Sequence, residues 1–259
     1  MKNSVSKSLL SVGCHVVMVD HNYDAIERVS KDLKTFNASH HLIQCDVTDE
    51  NQVRNLIRQA DDFASHTSAN SSSGQTIIPA ASLLVNCAGI TRDNWISRME
   101  LDEWNDVIDV NLKGTFLTCR QFLDQERADN IFPKTPLDES ADVQPGASIV
   151  NIGSIVSELG NLGQVNYAAS KGGVLGLTRA LAKEVAIRNV RVNSVVPGFI
   201  DTPMAQVIPE HVKHRVMNQI PMKRFGTSTE IADVVSFLLS PRSGYVTGES
   251  VTVSGMISL

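Results

Sequence analysis

Apolar residues along this chain follow two rhythms. The run His15-Val-Val-Met-Val-Asp20, apolar almost throughout, reads as a buried strand of the kind found in a parallel sheet, and Leu83-Leu-Val-Asn86, Ser148-Ile-Val-Asn-Ile152 and Val190 to Val196 read as further strands. His40-His-Leu-Ile-Gln-Cys45 reads as another strand and Tyr245 to Val253 as the last. Between these runs the apolar positions recur three and four apart, which is helical spacing. Val53, Leu56, Ile57 and Ala60 form one such stripe. Trp104, Val107, Ile108, Leu112 and Phe116 form another, within a helix expected from about Leu101 to Glu126. Further helices are expected over 4–11 (ended by Gly13), from Tyr23 to Lys34, from Gln164 to Ile187 and from Ile231 to Leu239. Strands alternating with helices predict a single α/β domain built on a doubly wound parallel sheet. Ser65 to Gly74 is polar and repetitive and reads as a mobile loop, and Asp129 to Gly146, with three prolines and four acids, as a surface loop.

The totals narrow the function classes. At 259 residues, 42% apolar and 20% charged, the chain has an ordinary globular balance. A net charge of −5 argues against a general nucleic-acid partner, which needs a concentrated basic face. No run of ~18 apolar residues occurs, so no membrane span is expected. Cys14, Cys45, Cys87 and Cys119 are widely spaced and read as buried thiols in a reducing compartment, with no metal site. His40 and His41, adjacent on a strand, point to opposite faces, and His211 and His214 read as a solvated helix face. Two glycosylation-like triplets, Asn37-Ala-Ser39 and Asn70-Ser-Ser72, carry little weight without a secretory signal.

The candidate chemistry lies between Ser154 and Lys171. Tyr167 and Lys171 are four residues apart, so on a helix they share a face one turn apart. A phenol titrates near ~10, and a neighbouring ammonium favours its ionised form. Ser154, at the end of an apolar strand, brings a hydroxyl that can donate to an oxygen where charge develops. Gly160 and Gly163 let the connecting loop fold back over the pair. A lone Tyr-x-x-x-Lys would be an ordinary surface pair; Ser154 and the strand-end Asn86-Cys-Ala-Gly89 change that reading. Asp20, also at a strand end, has two readings: an acceptor for an adenosine ribose, which position favours, or a cap for the helix that follows. Asn111, inside a helical pattern, reads by itself as an amide bonded to a neighbouring carbonyl.

With these residues in place the chain resembles the short-chain dehydrogenase/reductase family over nearly its whole length. Ser154, Tyr167 and Lys171 match the family's catalytic set at the usual separation, and Asn111 in Asp109-Val-Asn-Leu-Lys-Gly114 matches its fourth position. Asn86-Cys-Ala-Gly89 resembles the family's Asn-Asn-Ala-Gly, with Cys87 replacing the second Asn, and Ser254-Gly255-Met256 stands where a paired glycine is frequent. Within the family it is most similar to 3-oxoacyl-acyl-carrier-protein reductases and type 8 17β-hydroxysteroid dehydrogenases, through Gly163-Gln-Val-Asn-Tyr-Ala-Ala-Ser-Lys171 and Ile220-Pro-Met222. The resemblance implies hydride transfer between NAD and a carbonyl, on a small-molecule or carrier-bound substrate: a 3-oxoacyl thioester, or a 17β-hydroxysteroid such as estradiol. Tyr167 would move the proton, Ser154 hold the oxygen, Lys171 lower the phenol pKa and bind ribose, and Asn111 anchor a proton relay. The cofactor residues implied are Asp20 and His21, Asp46 and Val47 at the adenine, Asn86, Ala88 and Gly89, Tyr167 and Lys171, and Pro197, Gly198, Ile200 and Thr202 beside the nicotinamide. Phe199 to Arg224 resembles the substrate lid, with Met204, Val207, Ile208, Val212, Val216 and Met217 as its apolar wall. The small residues Ala168, Ala169, Gly172, Gly173 and Gly176 mark the helix that joins subunits in the family, implying a homo- or hetero-tetramer.

One family element is not found. A first strand running into Gly-x-x-x-Gly-x-Gly should precede Asp20 by ~20 residues, which falls at Met1. The expectation is therefore a sheet lacking its first strand and a weakened phosphate site. The competing readings are a non-catalytic oligomer subunit and an inactive truncated product that has lost cofactor binding. The resemblance implies the mitochondrial matrix, with the cytoplasm as alternative, since Met1 to Gly13 is not an Arg-rich leader.

Overall fold

The apolar runs do form strands, and all of them pair in parallel. The computed structural model describes residues 1–69, 80–125, 127, 146–202 and 210–257. β1 (Val16–Asp20) pairs with β2 (His40–Gln44). A second sheet has the order β3 (Leu83–Asn86), β4 (Ser148–Ile152), β5 (Arg191–Pro197), β8 (Ser250–Val253). Among the described residues no strand hydrogen-bonds β1 to β3. A small third pair, β6 (Ile200–Asp201) with β7 (Gly226–Thr227), ties the two ends of the 202–225 segment together.

The helices cover both faces of the four-stranded sheet. On one face α1 (Lys2–Ser11) and α9 (Ser228–Leu239) bury Val5, Ile231, Val235 and Leu238 against Val150, Ile152 and Val195. On the other, α3 (Glu50–Ala69), α5 (Gly114–Phe122) and α7 (Val165–Val185) bury Ile57, Phe122, Ala182 and Val185 against Ile149 and Val192. Neighbouring residues of β4 thus serve opposite cores, so every position of that strand is buried. Each such aliphatic side chain contributes roughly 1.5–3 kcal/mol. This is the doubly wound arrangement read from the chain.

Several boundaries differ from expectation. The helix expected over 101–126 is α4 (Leu101–Ile108), a π turn at Asp109–Lys113, and α5, which ends at Phe122. Residues 65–69, read as loop, continue α3. The last strand starts only at Ser250: Gly248 takes φ +78, and the Val246 carbonyl accepts the Asn193 side chain at 2.8 Å instead of a ladder partner. α2 (Tyr23–Leu33) is capped by Asn22, whose side chain accepts from the Ala25 N–H, so Asp20 is not its cap. The rest of the 65–74 segment, most of 129–146 and the lid residues Met204, Val207 and Ile208 lie outside the described residues.

Candidate active site

The ends of β3, β4 and β5 bring their following residues to one edge of the four-stranded sheet, where ligands bind in open parallel α/β folds. After β4, the Gly153 N–H donates to the Val195 carbonyl at 2.8 Å and the Ile155 N–H to the Pro197 carbonyl at 2.9 Å. These bonds fix Ser154 between them. Its Oγ accepts from the Val156 N–H at 3.2 Å, and its side chain faces the Tyr167 phenol, where it favours the ionised form. The chain then makes α6 (Val156–Leu159), breaks at Gly160 (φ +75) and turns again at Gly163 (φ +74) into α7. Both glycines sit in the left-handed region that a side chain strains.

Tyr167 and Lys171 lie on consecutive turns of α7, with the Lys171 Nζ 5.9 Å from the phenol ring centre. Lys171 is only 4% exposed and donates to the Ile152 carbonyl at 2.8 Å. Burial pulls its ammonium down to about 8, opposed in part by the nearby Cys87 thiol. Burial also pushes the Tyr167 phenol up; the Ser154 side chain opposes this and the Asp93 carboxylate adds to it. The expected lowering of the phenol by Lys171 is therefore not found in this arrangement. One ammonium N–H is held by a strand-end carbonyl, and desolvation of the phenol outweighs any attraction at that separation.

Asn111 occupies the centre of the π turn and is fully buried. π turns widen a helix locally and recur at functional sites. Its Oδ1 accepts from the Ile90 N–H at 2.8 Å, and its Nδ2 donates to the Ile90 carbonyl at 3.0 Å and to Ser170 Oγ at 3.0 Å. So the amide binds a backbone segment after β3 and α7 at once. Gly89 lies directly beside it: a Cβ there would stand 3.4 Å from both Asn111 Oδ1 and Lys171 Nζ. Asn86, by contrast, turns inward. Its Nδ2 donates to Asn151 Oδ1 at 2.9 Å and its Oδ1 accepts from Thr118 Oγ1 at 2.7 Å. Only its backbone is placed to meet a ligand.

At the end of β1, Asp20 accepts from the Asn22 N–H at 2.9 Å and pairs with His21 and with Lys2. An open depression of about 440 Å³ lies beside it, lined by His21, Asn22, Tyr23, Asp24 and Gln44. Asp46 is exposed and accepts from Thr48, while Val47 packs against the Gly114 backbone, where a Cβ would stand 2.7 Å from Val47 Cγ2. Pro197 and Gly198 close β5; Ile200 is in β6 and Thr202 follows it. Ala88 is exposed beside Gly89. From the lid, α8 (Glu210–Gln219) brings Val216 and Val212 onto Ile155, Val156 and Tyr167 in one apolar cluster, with His211 and His214 exposed. Among the described residues no group of three His, Cys, Asp or Glu could hold a metal ion, and no helix is long and apolar enough to cross a membrane.

Sequence reading did not single out Asp93, Gln164, Asn166, Ser170 or Lys2. Gln164 Nε2 donates to both Asp93 oxygens at 3.0 and 2.9 Å, and the Asn94 N–H donates to the Gly163 carbonyl at 2.9 Å. Their partners are about 70 residues distant, beyond any local pattern. The one available signal was Asn166 itself, a residue that competes with helical hydrogen bonding yet stands in a helix's first turn.

Comparison with known proteins agrees with this geometry. A family model described as enoyl-(acyl carrier protein) reductase matches residues 3–256. The (3R)-3-hydroxyacyl-CoA dehydrogenase of Canis lupus familiaris is 42% identical over 219 residues, 84% of this chain and 73% of that protein. The protein of the same name from Rattus norvegicus is 48% identical over 176 residues, covering 67% of this chain and 62% of its own length. The 3-oxoacyl-[acyl-carrier-protein] reductase FabG of Staphylococcus epidermidis is 36% identical over 257 residues, 97% of this chain and 92% of that protein.

Proposed function

This chain belongs to the short-chain dehydrogenase/reductase family, and on that premise we propose that it is an NAD(H)-dependent oxidoreductase acting on a 3-oxoacyl thioester or its 3-hydroxy counterpart. The observation that carries this reading is the convergence of Ser154, Tyr167, Lys171 and Asn111 at the carboxyl edge of the sheet. The residues at this end suit a nicotinamide nucleotide: Gly89 leaves backbone open beside a buried amine, and Lys171 uses one of its three N–H groups on Ile152.

When bound, the nucleotide supplies or accepts the hydride. In the reducing direction the carbonyl carbon gains that hydride, its C–O π bond breaks, and the oxygen takes the Tyr167 proton. Ser154 donates to the same oxygen as charge builds on it. Lys171 can offer its remaining N–H groups to the phenolate and to a ribose hydroxyl, and is charged below about pH 8. Asn111 holds the segment carrying Gly89 and Ile90 against α7. The Asp20 carboxylate favours NAD over NADP, because a 2′-phosphate would meet a like charge.

The acyl thioester substrate rests on the activities for which the relatives are named; oxidation of a 17β-hydroxysteroid rests on the sequence resemblance alone, as does a mitochondrial matrix location. An oligomer fits the open stripe of α7, where nothing lies within 4 Å of a Cβ built on Gly172 or Gly176. One observation favours the second reading, a non-catalytic subunit: Lys2 already occupies the carboxylate that would bind ribose. Fluorescence titration with NADH and NADPH separates the two. Saturable NADH binding, tighter than NADPH and weakened by Asp20→Ser, supports the enzyme. Absence of saturable binding to either nucleotide supports the subunit.

A further inference from the structure

Tyr167 stands in the first turn of α7, and helix ends fray unless their free N–H groups are satisfied. This end has no ordinary cap: the Gln164 side chain makes no capping bond. It reaches instead to Asp93. What fastens the turn is Asn166. It is 0% exposed, although asparagine is mostly exposed in folded proteins, and every polar group on its side chain is used. Oδ1 accepts from the Tyr167 N–H at 2.7 Å, satisfying one of the free donors. Nδ2 donates to the Arg92 carbonyl at 2.9 Å and to the Glu103 carbonyl at 3.2 Å. The amide therefore ties the backbone of the catalytic tyrosine to the loop after β3 and to α4, both remote in sequence. A one-sided structural bond would need only one of these partners.

We propose that Asn166 is a positioning residue for proton transfer, holding the Tyr167 phenol in register with Ser154 by locking the first turn of the catalytic helix to two separate elements. The inference rests on the proposed role of Tyr167, but its geometry does not. Ser170 adds a second tie on the same turn, accepting from Asn111 and donating to the Tyr167 carbonyl at 2.8 Å. It cannot replace Asn166, because it holds the carbonyl side of Tyr167 and leaves its N–H and the preceding residues free.

The test is the ultraviolet titration of the Tyr167 phenol without nucleotide, isolated from the other two tyrosines by subtracting the Tyr167→Phe protein. The charged groups facing the phenol are Asp93 across the loop and Lys171 one turn on. Since burial is the main cause of its raised value, Asn166→Ala should let the phenol loosen and move its midpoint down toward the ordinary ~10. With NADH and an acetoacetyl thioester, kcat should fall by ~10²-fold, as displacement of a reacting group by about 1 Å does. Asn166→Ser, which keeps an acceptor but cannot span both carbonyls, gives the same readouts if the alanine protein does not fold. A folded variant whose Tyr167 titrates as in the parent overturns the proposal, even if its melting temperature falls. If the parent shows no turnover, the enzymatic reading fails, and the phenol titration still decides the positioning role.

Discussion

Asn111 and Ser170 are joined by a 3.0 Å hydrogen bond that links a π turn to the catalytic helix, and Ser170 passes the tie to the Tyr167 carbonyl at 2.8 Å. Both side chains are fully buried. Removing the hydroxyl would leave one Asn111 N–H without a partner in a closed interior, which costs about 1–3 kcal/mol. Ser170→Ala is therefore expected to lower the stability seen in urea unfolding by that amount. A loss below about 0.5 kcal/mol, the usual range for surface changes, would mean that the amide finds another acceptor.

Lys171 makes a contrary contribution to stability. Its folded pKa, about 8, lies below the 10.5 it has when unfolded. Between those values the unfolded chain binds more protons, so this group makes stability rise with pH across that window. Below about pH 8 the folded protein carries a buried ammonium at full cost. Lys171→Met should thus be more stable than the parent at pH 7, by roughly 3 kcal/mol at most. The difference should shrink as pH rises from 8 toward 10.5. Denaturant unfolding of both proteins at several pH values measures it; a difference independent of pH would contradict the assignment.

Gly198 follows β5 so closely against the chain after β8 that a Cβ would stand 2.7 Å from the Ser254 Cα, a backbone atom that cannot swing away. Gly198→Ala should cost ~1–3 kcal/mol through overpacking. The comparison is Gly172→Ala, where space is open. In a helix interior that change should be neutral or stabilising, by up to ~1 kcal/mol. Equal melting temperatures for the two variants would contradict the packing described.

What the sequence made legible was periodic or local. Apolar runs found β1, β3, β4 and β5; β4 and β5 are buried at nearly every position, so apolar residues fall on both of their faces even with Asn151, Asn193 and Ser194 among them. The spacing of Tyr167 and Lys171 placed them on one face of a helix, and α7 carries both, since four residues are one turn. What stayed hidden depended on partners far along the chain. The π turn at Asp109–Lys113 inserts its extra residue without breaking the apolar stripe of Val107, Leu112 and Phe116, so 101–122 reads as one uniform helix. Asn166 bonds carbonyls that carry no side-chain signal. The direction of the Tyr167 shift turned on burial, which the Tyr-x-x-x-Lys spacing does not report.

The central claim is that Tyr167 moves the proton in a nucleotide-dependent reaction. Turnover of NADH with an acetoacetyl thioester, compared between the parent and Tyr167→Phe, tests it most directly. The substitution keeps the ring packed against Val216 and Ile155 and removes only the hydroxyl. General acid–base groups contribute ~10²–10⁴-fold, so kcat should fall by that factor while NADH affinity is retained. Turnover within about twofold of the parent would show that the proton comes from elsewhere.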